Sequence, residues 1–169
     1  LARLVAGIVF RVIIMKRVVF PIFSIIAGLC LFLGAATASP FWQRVENDVI
    51  GNGAAICKDD EATGNFFCFG LRCGKGAGTE FFVMLAGGYI EPGAPLGIAV
   101  DGQSIARLPL TVVEDSAEYT SPYLADQHIE IIEKLRGGRS LVITAGSEVD
   151  LPLIGAGPAL DETLAACLR

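Results

Sequence analysis

The sequence has one histidine and one tryptophan among 169 residues, no C-x-x-C pair and no G-x-S-x-G elbow. Each absence removes a class of chemistry. Zinc needs tightly spaced Cys and His ligands, but Cys68 and Cys73 are separated by four residues and His128 lies far from both. Nucleophilic catalysis needs a Ser or Cys with a base in reach, and no such pattern is present. The glycine-rich stretch "GKGAG" (Gly74 to Gly78) lacks the spacing of a phosphate-binding loop and reads as a turn. Asp59, Asp60 and Glu61 stand side by side rather than at the alternating positions of a calcium loop, so they read as a solvated turn. No catalytic residue, metal or cofactor is expected. There is no internal repeat and no basic run.

The sequence is rich in apolar residues: 53% are hydrophobic and mean hydropathy is +0.58. Much of this sits at the N-terminus. Met15 is followed by Lys16 and Arg17, then by an apolar run from Val18 to about Leu33. Ala36-Thr37-Ala38 is the small-residue pattern that signal peptidase accepts, with Ser39 next. This predicts a signal peptide over 15–38 and makes residues 1–14 an upstream over-extension. An uncleaved anchor is the alternative, since Val18 to Ala38 is long enough to span a bilayer. Both readings export the rest of the chain, because the basic residues hold the N-terminal side in the cytoplasm.

Residues 39–169 then form one domain's worth of chain. Of 13 basic residues, Arg3, Arg11, Lys16 and Arg17 precede residue 39; nine remain against 18 acidic ones, a formal charge of −9. Such a domain repels nucleic acid and, once the signal is cleaved, anionic membrane surface. The expected partner is an unidentified protein.

Cys57, Cys68, Cys73 and Cys167 are an even set in an exported chain and predict two disulfides. In "FFCFGLRC", Phe67, Phe69, Leu71 and Cys73 share one strand face, and Phe66, Cys68, Gly70 and Arg72 the other. The first set is the better core face. Cys73 then suits Cys167, on the apolar face of a last helix, while Cys57 and Cys68 lie on adjacent strands. Four cysteines allow three connectivities, and a bulge would undo the parity.

Strand-like runs dominate: "AAIC", "FFCFGLRC", "EFFVMLAG", a hairpin in "GIAVDGQSIARLPLTVVE" about Asp101-Gly102, and a second in "SLVITAGSEVDLPLIG" about Gly146-Ser147. Two helices are expected. In "LADQHIEIIEKLRGGRS", Asp126 caps, Gly137-Gly138 stops, and His128, Ile131, Ile132 and Leu135 share a face. In "GPALDETLAACLR", Pro158 takes the first helical position and Leu160, Leu164, Cys167 and Leu168 face inward. His128 reads as a packed, hydrogen-bonded residue. Trp42 is core or a surface anchor, with core preferred.

The series from Gly97 to Cys167 is ordered: a "VDG" hairpin, the helix "HIEIIEKLRGG", the strands "SLVITAG" and "EVDLPLIGAG", and a short Ala/Leu helix. It resembles the C-terminal half of the invasion-associated locus B family of small exported bacterial proteins, found mainly in alphaproteobacteria. The resemblance implies a secreted or periplasmic protein with an immunoglobulin-like β-sandwich. It also implies an early cysteine pair on neighbouring strands, which Cys57 and Cys68 match. The chain differs in lacking the family's later cysteine pair between Thr111 and Tyr123 and its Trp just before the first cysteine. No defined activity comes with the resemblance.

The sequence therefore predicts a disulfide-stapled, mainly β sandwich with two short peripheral helices. The expected role is that of an exported, non-enzymatic binding or structural accessory protein, or alternatively an inhibitor of an exported hydrolase. An inhibitor of this kind acts through one rigid contact loop, and the candidates are "YIEPGAPLG" (Tyr89 to Gly97) and "KDDEATGN" (Lys58 to Asn65).

Overall fold

The computed structural model describes residues 41–47, 50–60, 64–74, 78–114 and 116–167. The expected signal segment 15–38, its cleavage residues Ala36, Ala38 and Ser39, and Leu168 lie outside the described residues.

Among the described residues, ten strands and two helices follow in order: β1 (Gln43–Asn47), β2 (Gly51–Asp60), β3 (Asn65–Cys73), β4 (Thr79–Ala86), β5 (Pro95–Val100), β6 (Gln103–Pro109), β7 (Thr111–Val112), β8 (Glu118–Tyr123), α1 (Ala125–Gly137), β9 (Ser140–Thr144), β10 (Glu148–Pro152) and α2 (Ala156–Cys167). They form two antiparallel sheets, a six-stranded one in the order β1-β2-β3-β4-β8-β7 and a four-stranded one in the order β10-β9-β5-β6. The architecture is a β-sandwich with two helices.

Strand alternation sorts β3 between two environments. Phe67, Phe69 and Leu71 enter the main core, with Ile56, Phe81 and Val83 beside them and Leu96, Ile98, Leu141 and Ile143 from the other sheet. Trp42, buried in this core, meets Phe69 edge-on at 5.8 Å; Phe69 stacks on Phe81 at 6.2 Å, and Phe81 meets Tyr123 edge-on at 5.7 Å. Such aromatic pairs add to simple burial. The opposite face carries Cys68 and Phe82 with Ile50 and Ala55. There Gly70 is required by close approach: a Cβ would meet the Ala54 carbonyl oxygen and lie 2.7 Å from the Phe82 ring.

The Asp101-Gly102 turn joins β5 to β6 with φ of 50° and 78°, the left-handed pair of a tight hairpin. Its second strand is shorter than expected. β6 ends at Pro109, and Thr111–Val112 pairs with β8 in the other sheet. Proline has no N–H to continue a ladder, which makes it a natural point for changing sheets. The "KDDEATGN" stretch is not all loop either: β2 runs to Asp60 and pairs in register with β3 from Asn65.

Helix α1 buries Ile131, Ile132 and Leu135. Its N-cap is Leu124, not Asp126, which sits in the first turn; a carboxylate there favours the positive end of the helix dipole. The capping contact runs backward instead, with the Leu124 N–H donating to His128 Nδ1 at 3.1 Å. Helix α2 starts at Ala156, so Pro158 is its third residue rather than its first. The opening turn tolerates this because its N–H groups have no partner within the helix. α2 buries Ala156, Ala159, Leu160 and Thr163 and packs on β1, β2, β3 and α1. The Thr163 hydroxyl is satisfied by donating to the Ala159 carbonyl at 2.9 Å.

Cys57 and Cys68 are directly opposite in the β2–β3 register and are disulfide-bonded. Cys73 is bonded to Cys167 on α2. Two disulfides are consistent with an extracytoplasmic protein. Among the described residues, no helix is long and apolar enough to cross a membrane.

Candidate functional site

Three places concentrate polar chemistry. The first surrounds His128. Its ring lies 6.0 Å from both Phe81 and Tyr123, and its Nδ1 accepts the Leu124 N–H. The imidazole is therefore held by packing and by a backbone bond. Burial pushes the Tyr123 phenol above its ordinary pKa, with Arg136 opposing the shift.

The second is a charged cluster on the face of the six-stranded sheet away from the main core. Arg72 is 6% exposed. Its Nε donates to Glu80 at 2.8 Å, one Nη donates to Glu118, and the other donates to the Ile50 carbonyl at 3.3 Å. The guanidinium also lies over Phe82, 5.2 Å from the ring centroid. Burial works against the Arg72 charge, but the hydrogen bonds it donates to Glu118 and Glu80, with the carboxylates' negative charge, outweigh it and raise the pKa. With its donors engaged, the cluster fastens β3, β4 and β8 together. A cue existed in the sequence: an Arg on the apolar strand "FFCFGLRC" needs carboxylates on neighbouring strands.

The third is a cleft of about 800 Å³ where three chain segments converge. Lys58, Asp59 and Asn65 come from the facing ends of β2 and β3, Leu85, Gly87, Gly88 and Tyr89 from the end of β4 and the loop after it, and Ala145 to Asp150 from the β9–β10 hairpin. Phe67, Leu85 and Val149 supply apolar lining, and Asp59, Glu148 and Asp150 outnumber Lys58. Lys58 Nζ donates to the Asp150 carbonyl at 3.4 Å, linking the two sheets across the cleft. Gly146, at φ of 79°, lies beneath the Tyr89 carbonyl, where a Cβ would come to 3.2 Å. That close approach sets the Tyr89 loop against the hairpin. The Tyr89 side chain is 67% exposed, whereas Ile90 beside it is buried and its N–H donates to the Tyr119 hydroxyl at 3.2 Å.

Both candidate contact loops thus reach one cleft: Lys58, Asp59 and Asn65 from the first, Tyr89 from the second. The contribution of Glu148, Val149 and Asp150 was not anticipated. They belong to the expected "SLVITAGSEVDLPLIG" hairpin, but nothing local shows that it faces β2. The four disulfide cysteines and His128 are not among the cleft-lining residues.

No family model matches the chain, and no curated protein matches it. Among solved structures, it is similar to the crystal structure of invasion associated protein B from Bartonella henselae, at 15% identity and a TM-score of 0.46, over 76% of this chain and 94% of that one. At that identity and TM-score, nothing of that protein's properties carries over to this chain.

Proposed function

We propose that the protein is an exported, non-enzymatic binding or structural accessory protein of the periplasm or cell surface, and that the cleft is its binding site. The observation that carries this reading is the convergence of three sequence-distant segments on one cleft of about 800 Å³ with apolar lining and a charged rim, the form that ligand sites commonly take. The acidic charge favours a protein partner over nucleic acid or an anionic membrane surface. The Gly97–Cys167 resemblance to invasion-associated locus B proteins supports the same compartment, as do the two disulfides.

Photo-crosslinking tests the reading. A benzophenone amino acid at Tyr89 should give adducts in the native host, and one at Ile154, equally exposed at 68% against 67% but not among the cleft-lining residues, should not. Adducts from Ile154 alone would remove the cleft as the site. Substrate turnover by the purified protein, abolished by alanine at Asp59, Glu148, Asp150 or His128, would make it an enzyme instead.

One observation favours the inhibitor reading as a second choice. The Tyr89 loop is braced from within, by Ile90 on Tyr119 and by Ala94 N–H on the Glu91 carbonyl at 2.9 Å, while Tyr89 projects. A rigid loop with an exposed aromatic suits insertion into another protein's site. Stoichiometric co-purification with a periplasmic hydrolase whose activity is suppressed would favour it.

A further inference from the structure

Strand β10 is an edge of the four-stranded sheet, and the direction its backbone faces can be worked out. The Leu153 N–H donates to the Arg139 carbonyl at 3.0 Å, and the Ala145 N–H to the Ser147 carbonyl at 3.0 Å. In an antiparallel pair only every second opposed pair exchanges hydrogen bonds. The bonded pairs are therefore Arg139/Leu153, Leu141/Leu151, Ile143/Val149 and Ala145/Ser147 in the β9–β10 register. Glu148 and Asp150 fall between them. Their N–H and C=O groups turn away from β9, and both residues line the cleft. The Lys58 contact agrees, because it reaches the Asp150 carbonyl from that side.

We propose that the cleft takes an extended peptide segment of a partner protein, added antiparallel or parallel to the outer edge of β10, which pairs only with β9 among the described residues, with a Lys or Arg side chain of the peptide directed at the acidic rim. The proposal rests on the cleft being the binding site. Its backbone half follows from the outward N–H and C=O groups of Glu148 and Asp150, the row that an added strand reads. The stretch is short: Pro152 has no N–H, so the peptide's ladder ends before it. Its side-chain half follows from charge. Glu148 and Asp150 on β10 face Lys58 on β2 across the cleft, and this pair of carboxylates selects for a cationic residue. Tyr89 and Leu85 offer apolar surface to the residues between. Lys58, reaching over from β2, caps the outward Asp150 carbonyl in the free protein. Its flexible stem lets the ammonium move aside when a peptide amide takes its place on the Asp150 carbonyl.

The probe is acetyl-Lys-Val-Lys-Val-Lys-Val-amide, with the all-Glu analogue as its counterpart. Amide NMR and hydrogen exchange on the full exported domain read the outcome. The lysine peptide should shift and protect the Glu148 and Asp150 amides, and the glutamate peptide should bind more weakly. Glu148→Gln/Asp150→Asn keeps the backbone and should weaken binding roughly fivefold, as expected for exposed charge pairs. Asp150→Pro removes an outward N–H without touching the β9 ladder, and should abolish binding. N-methylation of alternate peptide amides should block binding in one phase and spare it in the other. Binding that survives Asp150→Pro, or tolerates methylation in both phases, would overturn strand addition while leaving the cleft as a side-chain site. Failure of both peptides to perturb β10 at millimolar concentration, alongside crosslinks from Tyr89, would overturn the proposal but not the cleft. Peptide binding with shifts confined to residues outside the cleft would overturn both.

Discussion

Cys73 and Cys167 are bonded to each other across 94 positions, tying the end of β3 to the last residue of α2. A helix of 12 residues is marginal in isolation. In the loop-entropy description this bridge contributes about 4–5 kcal/mol and Cys57–Cys68, which closes a separation of 11, about 3. Cys167→Ser should free one thiol at Cys73, loosen α2 and lower stability by about 2–5 kcal/mol in urea unfolding. Cys57→Ser should cost less. Non-reducing peptide mapping checks the pairing directly, and a Cys57–Cys167 peptide would contradict it.

Arg72 answers differently to one substitution than to three. Arg72→Met leaves the Glu118 carboxylate, 11% exposed, facing a methionine. Breaking a buried pair from one side typically costs about 3–5 kcal/mol. Replacing Glu80 and Glu118 with Leu alongside Arg72→Met removes the orphaned charges and should recover most of that loss. Chemical unfolding of the single and triple variants decides it. A triple variant no more stable than the single one would show that the cluster's hydrogen bonds, rather than the stranded charge, hold β3, β4 and β8.

Local pattern revealed some of this molecule and left the rest hidden for identifiable reasons. The alternation in "FFCFGLRC" separates Phe67, Phe69 and Leu71 from Cys68 and Arg72, as the two buried clusters do. The Asp101-Gly102 turn and the buried stripe of α1 were also legible. β1 ("QRVEN") and β8 ("EYTSPY") were not, because neither carries the apolar alternation of a half-buried strand. β8 is buried through Tyr119 of the main core, with the half-buried Tyr123 packed against that core, and through Glu118, whose partner Arg72 lies 46 positions away. The cleft was legible only as separate loops. The β9–β10 hairpin was itself legible, but its placement against β2, through the sheet-to-sheet contact of Lys58 with Asp150, leaves no local signature.

The histidine gives a third test. Nδ1 of His128 accepts the Leu124 N–H, so the neutral ring must carry its proton on Nε2. Long-range nitrogen–proton correlation spectra should show the Nε2–H tautomer. His128→Ala removes the acceptor at the start of α1 and should cost about 1 kcal/mol, the usual worth of a capping bond. It should also raise hydrogen exchange at the Leu124 amide. An Nδ1–H tautomer would exclude the bond.

The last test uses acid. Asp101 sits in the hairpin turn at φ of 50°, and its Oδ1 accepts the N–H groups of Arg139 and Ser140, each at 3.0 Å, and the Ser140 hydroxyl at 3.3 Å. Its own N–H donates to the Ser140 carbonyl at 3.0 Å. The turn is thereby bolted to the α1–β9 connection. The Ser140 N–H, and after it the Arg139 N–H, hold the carboxyl below its ordinary pKa. A carboxyl with a lowered folded pKa favours the native state above its unfolded value, and that contribution disappears as pH falls through the folded value. The window therefore opens near about pH 4, the unfolded carboxylate value, and extends downward. Asp101→Asn keeps a carbonyl acceptor and tolerates the left-handed backbone, but carries no charge. The urea midpoint of the wild-type protein should exceed that of Asp101→Asn by a constant margin near neutrality, and the margin should close as the solution is acidified below about pH 4. Asp101→Ala loses the acceptor as well and strains the turn, so it should lie below both at every pH. A wild-type margin over the Asn variant that stays flat into strong acid would show that the Asp101 charge plays no part in holding the hairpin to β9.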